Sequence, residues 1–157
     1  MPCAGIARRR PPRGNDLPRG VVGAGVPKGP IPEQYIQILE RPNPAVMATV
    51  DGAGAPVSVA TWYLWEDGRL LVNLAAERKR LEHLYADPRL SLTVLDGDSW
   101  YRHISLRGVA TLSDDPDSSV IDRISRHYSG QPYRLRDQKR VSAWVDVDTY
   151  HVWGFDR

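Results

Sequence analysis

The sequence predicts a mainly β fold, a six-stranded antiparallel barrel with two or three short α-helices. Short runs rich in β-branched and aromatic residues alternate with Gly- and Asp-containing turns, as is typical of hairpin-connected strands. Segments between these runs change to the spacing of amphipathic helices. With 157 residues, 41% of them apolar, the chain is long enough for one domain with its own core. Hairpin connections favour a sheet that closes on itself.

The first part of the predicted domain is a short helix followed by a meander of three strands. Pro32 suits the first turn of a helix that places Ile36 and Leu39 towards a core. The Pro-rich segment at residues 41–44 ends this helix. The predicted strands are Ala45 to Val50, Pro56 to Trp65 and Arg69 to Leu74, separated by turns at residues 51–54 and 66–68.

The second part alternates helices and strands. A helix over residues 78–86 places Leu81, Leu84 and Tyr85 on one face and stops at the Pro that follows Asp87. Two strands come next, one through residues 90–94 and a long one from Trp100 to about Leu112. A helix opened by Pro116 then precedes the final strand, which alternates from residue 141 and ends at residue 154. The apolar stripe of that helix is Val120, Ile121, Ile124 and Tyr128.

The positive charge of the chain is concentrated in its first 30 residues. This segment holds six cations and one acid, a net charge of +5, which leaves −3 for residues 31–157 out of the +2 of the whole chain. It is rich in Pro and Gly without hydrophobic periodicity, which predicts a disordered basic arm or an over-extended start to the reading frame. We therefore divide the chain into a basic tail, residues 1–30, and a folded domain, residues 31–157. A solvated basic arm requires no nucleic-acid partner.

Several other classes of protein are disfavoured by the composition. No apolar run approaches the ~20 residues of a membrane-spanning helix, and the Arg-rich start is not followed by the apolar segment of a secretory signal. The single cysteine, Cys3, excludes an internal disulfide framework and a thiolate metal site. The four histidines show no close ligand spacing, and no G-x-S-x-G elbow or P-loop is present. We expect no metal site, no membrane association and a cytoplasmic setting.

Three consecutive cations, Arg78, Lys79 and Arg80, stand where the second helix begins. This is an unfavourable position, because the helix dipole places about +0.5 charge at the same end. A phosphate or carboxylate bound there would satisfy the free backbone amides and the side chains together. The alternative is a solvated helix face on which Glu77 and Glu82 neutralise the cations. The residues alone leave both interpretations open.

The order of several motifs resembles the split-barrel flavin and deazaflavin oxidoreductases related to pyridoxamine 5′-phosphate oxidase. The similarity covers roughly residues 32–157 and is carried by the combined order and spacing of the motifs. The motifs are Ala48-Thr49, Gly54 and Pro56 before the second strand, Leu84 to Arg89 at the end of the cationic helix, Ser105-Leu106-Arg107-Gly108, Tyr128 to Tyr133, and His151-Val152-Trp153-Gly154.

Within that superfamily the chain is similar to the branch that uses coenzyme F420, a deazaflavin with a phosphate and a polyglutamate tail. A basic residue three positions before an Asn-Leu pair holds the anionic groups in that branch, and it corresponds here to Arg80 before His83-Leu84. Arg78 falls on a second basic position of the same motif. Arg80 stands where Lys is common and offers a planar, bidentate donor in place of a point charge. FMN is the alternative cofactor.

The resemblance implies a homodimer with the cofactor at the interface. The backbone of the second strand should run along the ring, Asn73 should reach the ribityl or phosphate region, and Trp100, Arg102 and Tyr133 should lie near the site from one protomer or the other. Asn73 has an equally acceptable alternative as a hydrogen-bonded polar residue at the end of the barrel. The implied cofactor-binding residues are Val57, Ser58, Val59, Ala60, Thr61, Asn73, Arg78, Lys79, Arg80, Trp100 and Arg102.

The implied activity is hydride transfer from reduced F420 to a conjugated, electron-poor acceptor such as an enone, a quinone or a tetrapyrrole. Two alternatives remain open: an FMN-dependent oxidoreductase of the same fold, and a non-catalytic carrier of a flavin or haem-like ligand. An open apolar cavity beside the ring favours the enzyme, and a cofactor face sealed by tryptophans favours the carrier. No catalytic acid or base is identified; Tyr63, His103 and Tyr133 are candidate proton donors by residue type alone.

Overall fold

The computed structural model describes residues 29–155, so most of the predicted basic tail lies outside the described residues. Three helices and seven strands account for this part of the chain, and no helix within it has the length and apolar character to span a membrane. In chain order they are α1 (Glu33–Leu39), β1 (Ala45–Val50), β2 (Pro56–Thr61), β3 (Leu64–Glu66), β4 (Arg69–Ala75), α2 (Lys79–Ala86), β5 (Arg89–Leu95), β6 (His103–Asp114), α3 (Ser119–Ser129) and β7 (Arg140–Trp153).

All seven strands belong to one antiparallel sheet in the order β2-β1-β5-β6-β7-β4-β3. The expected mainly β antiparallel fold is confirmed. The split barrel that the family resemblance implies is confirmed, whereas the full closure that the hairpin pattern favours is absent from the described residues, because β2 and β3 are the two edges of the sheet and do not pair with each other. The sheet is therefore a barrel that remains split between these two strands.

The strand predicted from Pro56 to Trp65 is two strands, and this raises the number from six to seven. The break falls at Trp62 and Tyr63. Tyr63 is fully buried, and its hydroxyl lies 3.0 Å from the carbonyl oxygen of Arg41 and 3.3 Å from that of Ile38, towards which it donates. These contacts anchor the chain to the end of α1 at the point where it leaves the β1–β2 ladder and enters the β3–β4 hairpin.

The core lies inside the curved sheet, where alternate residues of β1, β5 and β6 face inward. Met47, Leu92 and Ile104 are representative and are completely buried. Both α1 and α2 add side chains to this core, whereas α3 packs Ile121 and Ile124 in a second cluster with residues of β3 and β4. The prediction that Leu81 and Leu84 of α2 face the core is confirmed.

Tyr85 departs from that prediction, since 65% of its surface is exposed. It lies 100° around the helix from Leu84, beyond the edge of the face that meets the sheet. Helix α2 is only eight residues long and contacts β1 and β4, so it buries a narrow stripe.

Gly108 occupies a β-bulge in β6, where the register with β7 shifts between Arg107 and Gly108. A Cβ atom added at Gly108 would meet the backbone carbonyl oxygen of Asp146 at less than contact distance. We therefore expect Gly108→Ala to lower the free energy of unfolding by about 1 to 3 kcal/mol, the usual cost of overpacking.

Urea denaturation measures the effect of Gly108→Ala, and Gly52→Ala is the matched control. Gly52 lies in the exposed β1–β2 turn with no atom within 4 Å of an added Cβ, so its replacement should change stability by less than about 0.5 kcal/mol. Equal stability of the two variants would contradict the close approach at the bulge.

Candidate functional site

The start of α2 has no capping side chain within residues 29–155. Its N-cap residue is Arg78, in extended conformation, and no side chain accepts a hydrogen bond from the first turn. A cation at the N-cap faces the positive end of the helix dipole and provides no acceptor for the free amides. The turn therefore contains no side-chain acceptor for its free amides, and an anionic ligand would supply one.

Two of the nearby cations are already paired. The Nζ atom of Lys79 lies 3.0 Å from the carboxylate of Glu82, one turn further along the helix. Arg89 donates to Asp87 at 2.6 Å, and these hydrogen bonds hold the pKa of the Asp87 carboxyl at about 2. Lys79, Glu82 and Arg89 are exposed, as expected for a solvated face.

Arg78 and Arg80 have no acidic partner within residues 29–155. Arg80 is half-buried, and its Nη1 atom is buried without any hydrogen-bond partner in the described part of the chain. Burial, with the charge of Arg78 as a smaller contribution, lowers the pKa of the Arg80 guanidinium. A buried guanidinium nitrogen without an acceptor costs free energy, so this site fits an anionic group and is not explained by the solvated-face alternative.

His83 joins the cationic turn to the sheet. It follows Arg80 by one helical turn, and its Nδ1 atom forms a 2.9 Å hydrogen bond with the hydroxyl of Thr49 on β1. Thr49 also lines an open groove of about 750 Å³ between β1, β5 and β6. Arg89, Arg107 and Asp148 also line this groove, here called the cationic groove because two of its three charged side chains are positive.

Residues 57–61 lie on β2, one of the two free edges of the sheet. None of the side chains of β2 is buried, and most are exposed. The strand pairs with β1 from Val50↔Pro56 to Ala45↔Thr61. This distance is five residue steps, about 17 Å at 3.3 to 3.4 Å per residue. The strand thus provides an uncovered edge that leads away from the cationic groove.

A second groove, of about 620 Å³, lies at the opposite end of β1 and β2. None of its lining residues is charged. Trp62 and Tyr128 form part of its surface, with their rings stacked at 5.1 Å and 11°. The outer face of β1 and β2 therefore connects a cationic end to an uncharged aromatic end.

Asn73 occupies a buried hydrogen-bond network and has no free side-chain polar atom. Its amide nitrogen donates to Asp115 at 3.0 Å and to the hydroxyl of Ser142 at 3.1 Å, while its carbonyl oxygen accepts from Nε of Arg140 at 2.7 Å. Asp115 in turn accepts from the backbone amides of Val120 and Ile121 and so caps α3. The position of Asn73 agrees with the alternative interpretation, a hydrogen-bonded polar residue at the end of the barrel. A contact between its side chain and a cofactor would require these hydrogen bonds to rearrange.

Trp100 and Arg102 lie in the β5–β6 loop, away from α2. The amide of Leu95, just before this loop, donates to the carbonyl of Pro44, which places the loop at the uncharged end of β1. Trp100 is 74% exposed, and Arg102 is 2.5 Å from the buried carboxylate of Asp96. Neither residue lines either groove.

The three candidate proton donors differ in burial and in hydrogen bonding. Burial raises the pKa of the Tyr63 phenol, whose hydroxyl is already bound to backbone carbonyls, so this residue is structural. The His103 ring nitrogen Nδ1 lies 3.1 Å from the carbonyl of Tyr101. Tyr133 is half-buried and lines the uncharged groove.

Trp62 is a groove residue that none of the sequence motifs singles out. It is 41% exposed and lines the uncharged groove. Its exposure follows from the break between β2 and β3, which the continuous run of strand-forming residues conceals.

Comparisons with known proteins agree with this architecture. A family model described as pyridoxamine 5′-phosphate oxidase matches residues 31–154. No curated protein matches the chain at a significant level. Among solved structures, one named F420 reductase is 27% identical, with a TM-score of 0.72 over 77% of this chain and 98% of that chain.

Two more distant structures show the fold alone. A conserved hypothetical protein from Mycobacterium tuberculosis is 24% identical, with a TM-score of 0.66 over 83% of this chain and 88% of its own. General Stress Protein 26 from Bacillus anthracis is 19% identical, with a TM-score of 0.60 over 77% and 92% of the two chains.

Proposed function

Because this chain belongs to the pyridoxamine 5′-phosphate oxidase family, we propose that it is an F420-dependent reductase that acts on a conjugated, electron-poor acceptor. The observation that carries the proposal is the Nη1 atom of Arg80 at the start of α2, which is buried and has no hydrogen-bond partner among residues 29–155. The similarity to a structure named F420 reductase supports the choice of deazaflavin over FMN.

Arg80 and Arg78 are the residues that would hold the anionic part of the cofactor. Arg80 presents a desolvated donor, where a charge-assisted hydrogen bond is strongest, and the free amides of the first turn of α2 add further donors. Residues 57–61 of β2 would follow the remainder of the molecule with their free backbone edge. When bound in the reduced form, the deazaflavin supplies a hydride to the acceptor.

The uncharged groove supports an enzyme over a carrier. A ligand face sealed by tryptophans would favour a carrier, whereas the groove beside the end of β2 is open and about 620 Å³ in volume, within the range of small-molecule sites. Trp62 does not close it, since this residue remains 41% exposed. An acceptor therefore has access to the end of the strand that would follow the ring.

We test the activity by mixing the protein with reduced F420 and 2,3-dimethyl-1,4-naphthoquinone and following the return of the oxidised cofactor's absorbance. The quinone takes a hydride from reduced F420 and a proton from solvent, and it becomes the hydroquinone. The expected result is a rate that scales with protein concentration. Reduced FMN in place of F420 is the matched comparison, and faster turnover with FMN would favour the flavin alternative.

The proposed homodimer gives a separate prediction. The exposed edge of β2 carries no Lys or other charge in residues 56–61, although edge strands that remain in water usually carry such protection. We therefore expect the partner protomer of a dimer to cover the cofactor that lies along this edge. Sedimentation velocity should give about twice the 17.6 kDa chain mass, and a monomer at micromolar concentration would contradict the prediction.

A further inference from the structure

The uncharged groove at the end of β2, here called the Trp62 groove, has a composition that identifies its ligand class. Its lining residues are all uncharged, in contrast to two other grooves of similar volume: the cationic groove contains Arg89, Arg107 and Asp148, and a groove beside α2 contains several charges of both signs. A charged ligand in the Trp62 groove would lose hydration without gaining a counter-charge from these walls.

Trp62 is held as a platform within this groove. One side of the indole stacks on Tyr128, whose hydroxyl donates to the carbonyl of Asn43 at 2.8 Å. Tyr128 also receives the edge-on rings of Tyr63 at 6.3 Å and His127 at 5.6 Å. The ring of Tyr128 is thus held by three contacts, while the indole of Trp62 that stacks on it remains 41% exposed to solvent.

A fixed, exposed indole is suited to stacking with a flat conjugated molecule. Offset aromatic stacking contributes beyond the area that it buries, and a preorganised platform loses little side-chain entropy on binding. Pro42, Pro44 and Val46 add apolar walls around the platform. Because Trp62 directly follows β2, this platform adjoins the strand that would follow the cofactor.

We propose that the Trp62 groove is the acceptor site of this protein and that it selects flat, uncharged conjugated molecules by stacking them on Trp62. This inference rests on the proposed function for its position beside the cofactor, but the groove and its selectivity are properties of this chain alone. Binding of the acceptor class therefore does not depend on which cofactor the protein uses.

The test is isothermal titration calorimetry of the full chain without cofactor, using 2,3-dimethyl-1,4-naphthoquinone. Substitution at both reactive ring positions of this quinone prevents arylation of Cys3. Trp62→Ala should weaken binding by about tenfold. The matched control is Trp153→Ala, which removes a similarly exposed indole, 50% exposed, from the end of β7 and should change affinity less than twofold.

Two further measurements make the test independent of the folding of one variant. Val46→Glu places a charge on an exposed wall of the groove and should also weaken quinone binding by about tenfold. A ring-sulfonated derivative of the same quinone should bind the wild-type chain at least tenfold more weakly than the neutral molecule. Equal binding of the two quinones, or an unchanged affinity in folded Trp62→Ala, would overturn the inference.

Titration of the same proteins with F420 separates the two proposals. If the chain binds F420 but Trp62→Ala has the wild-type affinity for the quinone, the acceptor-site proposal is wrong and the proposed function stands. Trp62-dependent quinone binding in a chain that binds neither F420 nor FMN removes the proposed function and leaves an aromatic ligand site.

Discussion

Arg80→Ala is expected to weaken F420 binding by roughly 10- to 150-fold, the equivalent of about 1.5 to 3 kcal/mol for a charge-assisted hydrogen bond to a desolvated donor. The reason is that Arg80 carries a buried Nη1 atom without a partner in the described residues, so an anionic group supplies the missing acceptor. The dissociation constant, measured by quenching of tryptophan fluorescence at fixed moderate salt, reports the change.

Stability distinguishes this role from a structural one. Burial lowers the pKa of Arg80, which means that the protein disfavours its charged form, and removal of the side chain should leave the free energy of unfolding unchanged or slightly higher. Arg126→Ala is the matched control, since Arg126 is an exposed cation on α3, 3.9 Å from Asp122. A folded Arg80→Ala protein with wild-type F420 affinity would remove the assignment of this turn.

Asn73→Ala should lower the free energy of unfolding by about 2 to 4 kcal/mol, because it leaves Asp115 and Arg140 buried with fewer partners. The midpoint of thermal unfolding should fall by about 6 to 12 °C. F420 affinity, measured well below that midpoint, should stay within about twofold of the wild-type value, because no side-chain polar atom of Asn73 is available to a ligand.

Ser142→Ala provides the control for this network. It removes one neutral acceptor of the Asn73 amide and leaves both charged groups with their Asn73 contacts, so it should cost about 1 kcal/mol or less. The opposite pattern for Asn73→Ala, wild-type stability with a large loss of F420 affinity, would support the cofactor contact that the family resemblance implies.

Most of the strands were predictable because each has one buried face. In β5, Leu90, Leu92 and Val94 are buried and alternate with partly exposed residues, so the period of two is visible in the sequence. The break at Trp62 and Tyr63 was not predictable, since both are good strand formers and the interruption depends on a tertiary contact between the Tyr63 hydroxyl and the end of α1.

The candidate site was predictable as a charge pattern and not as individual roles. Arg78, Lys79 and Arg80 are three equivalent cations in the sequence, and only packing shows that Lys79 is paired while Arg80 is half-buried with no acidic partner in the part of the chain that the structure describes. Asn73 and Trp62 illustrate the same limit. Asn73 is held by hydrogen bonds to Asp115 and Ser142, which lie 42 and 69 positions further along the chain, and Trp62 is held by the stacked ring of Tyr128 from α3.

The central claim is that the start of α2 holds the anionic part of a deazaflavin, and a titration of the wild-type chain with F420 and, separately, with FMN tests it most directly. Tryptophan fluorescence reports binding, and added salt reports the ionic contribution. We predict tight F420 binding that weakens with salt, and weaker binding of FMN. Binding of neither cofactor at micromolar protein concentration would contradict the claim and leave Arg80 without a ligand.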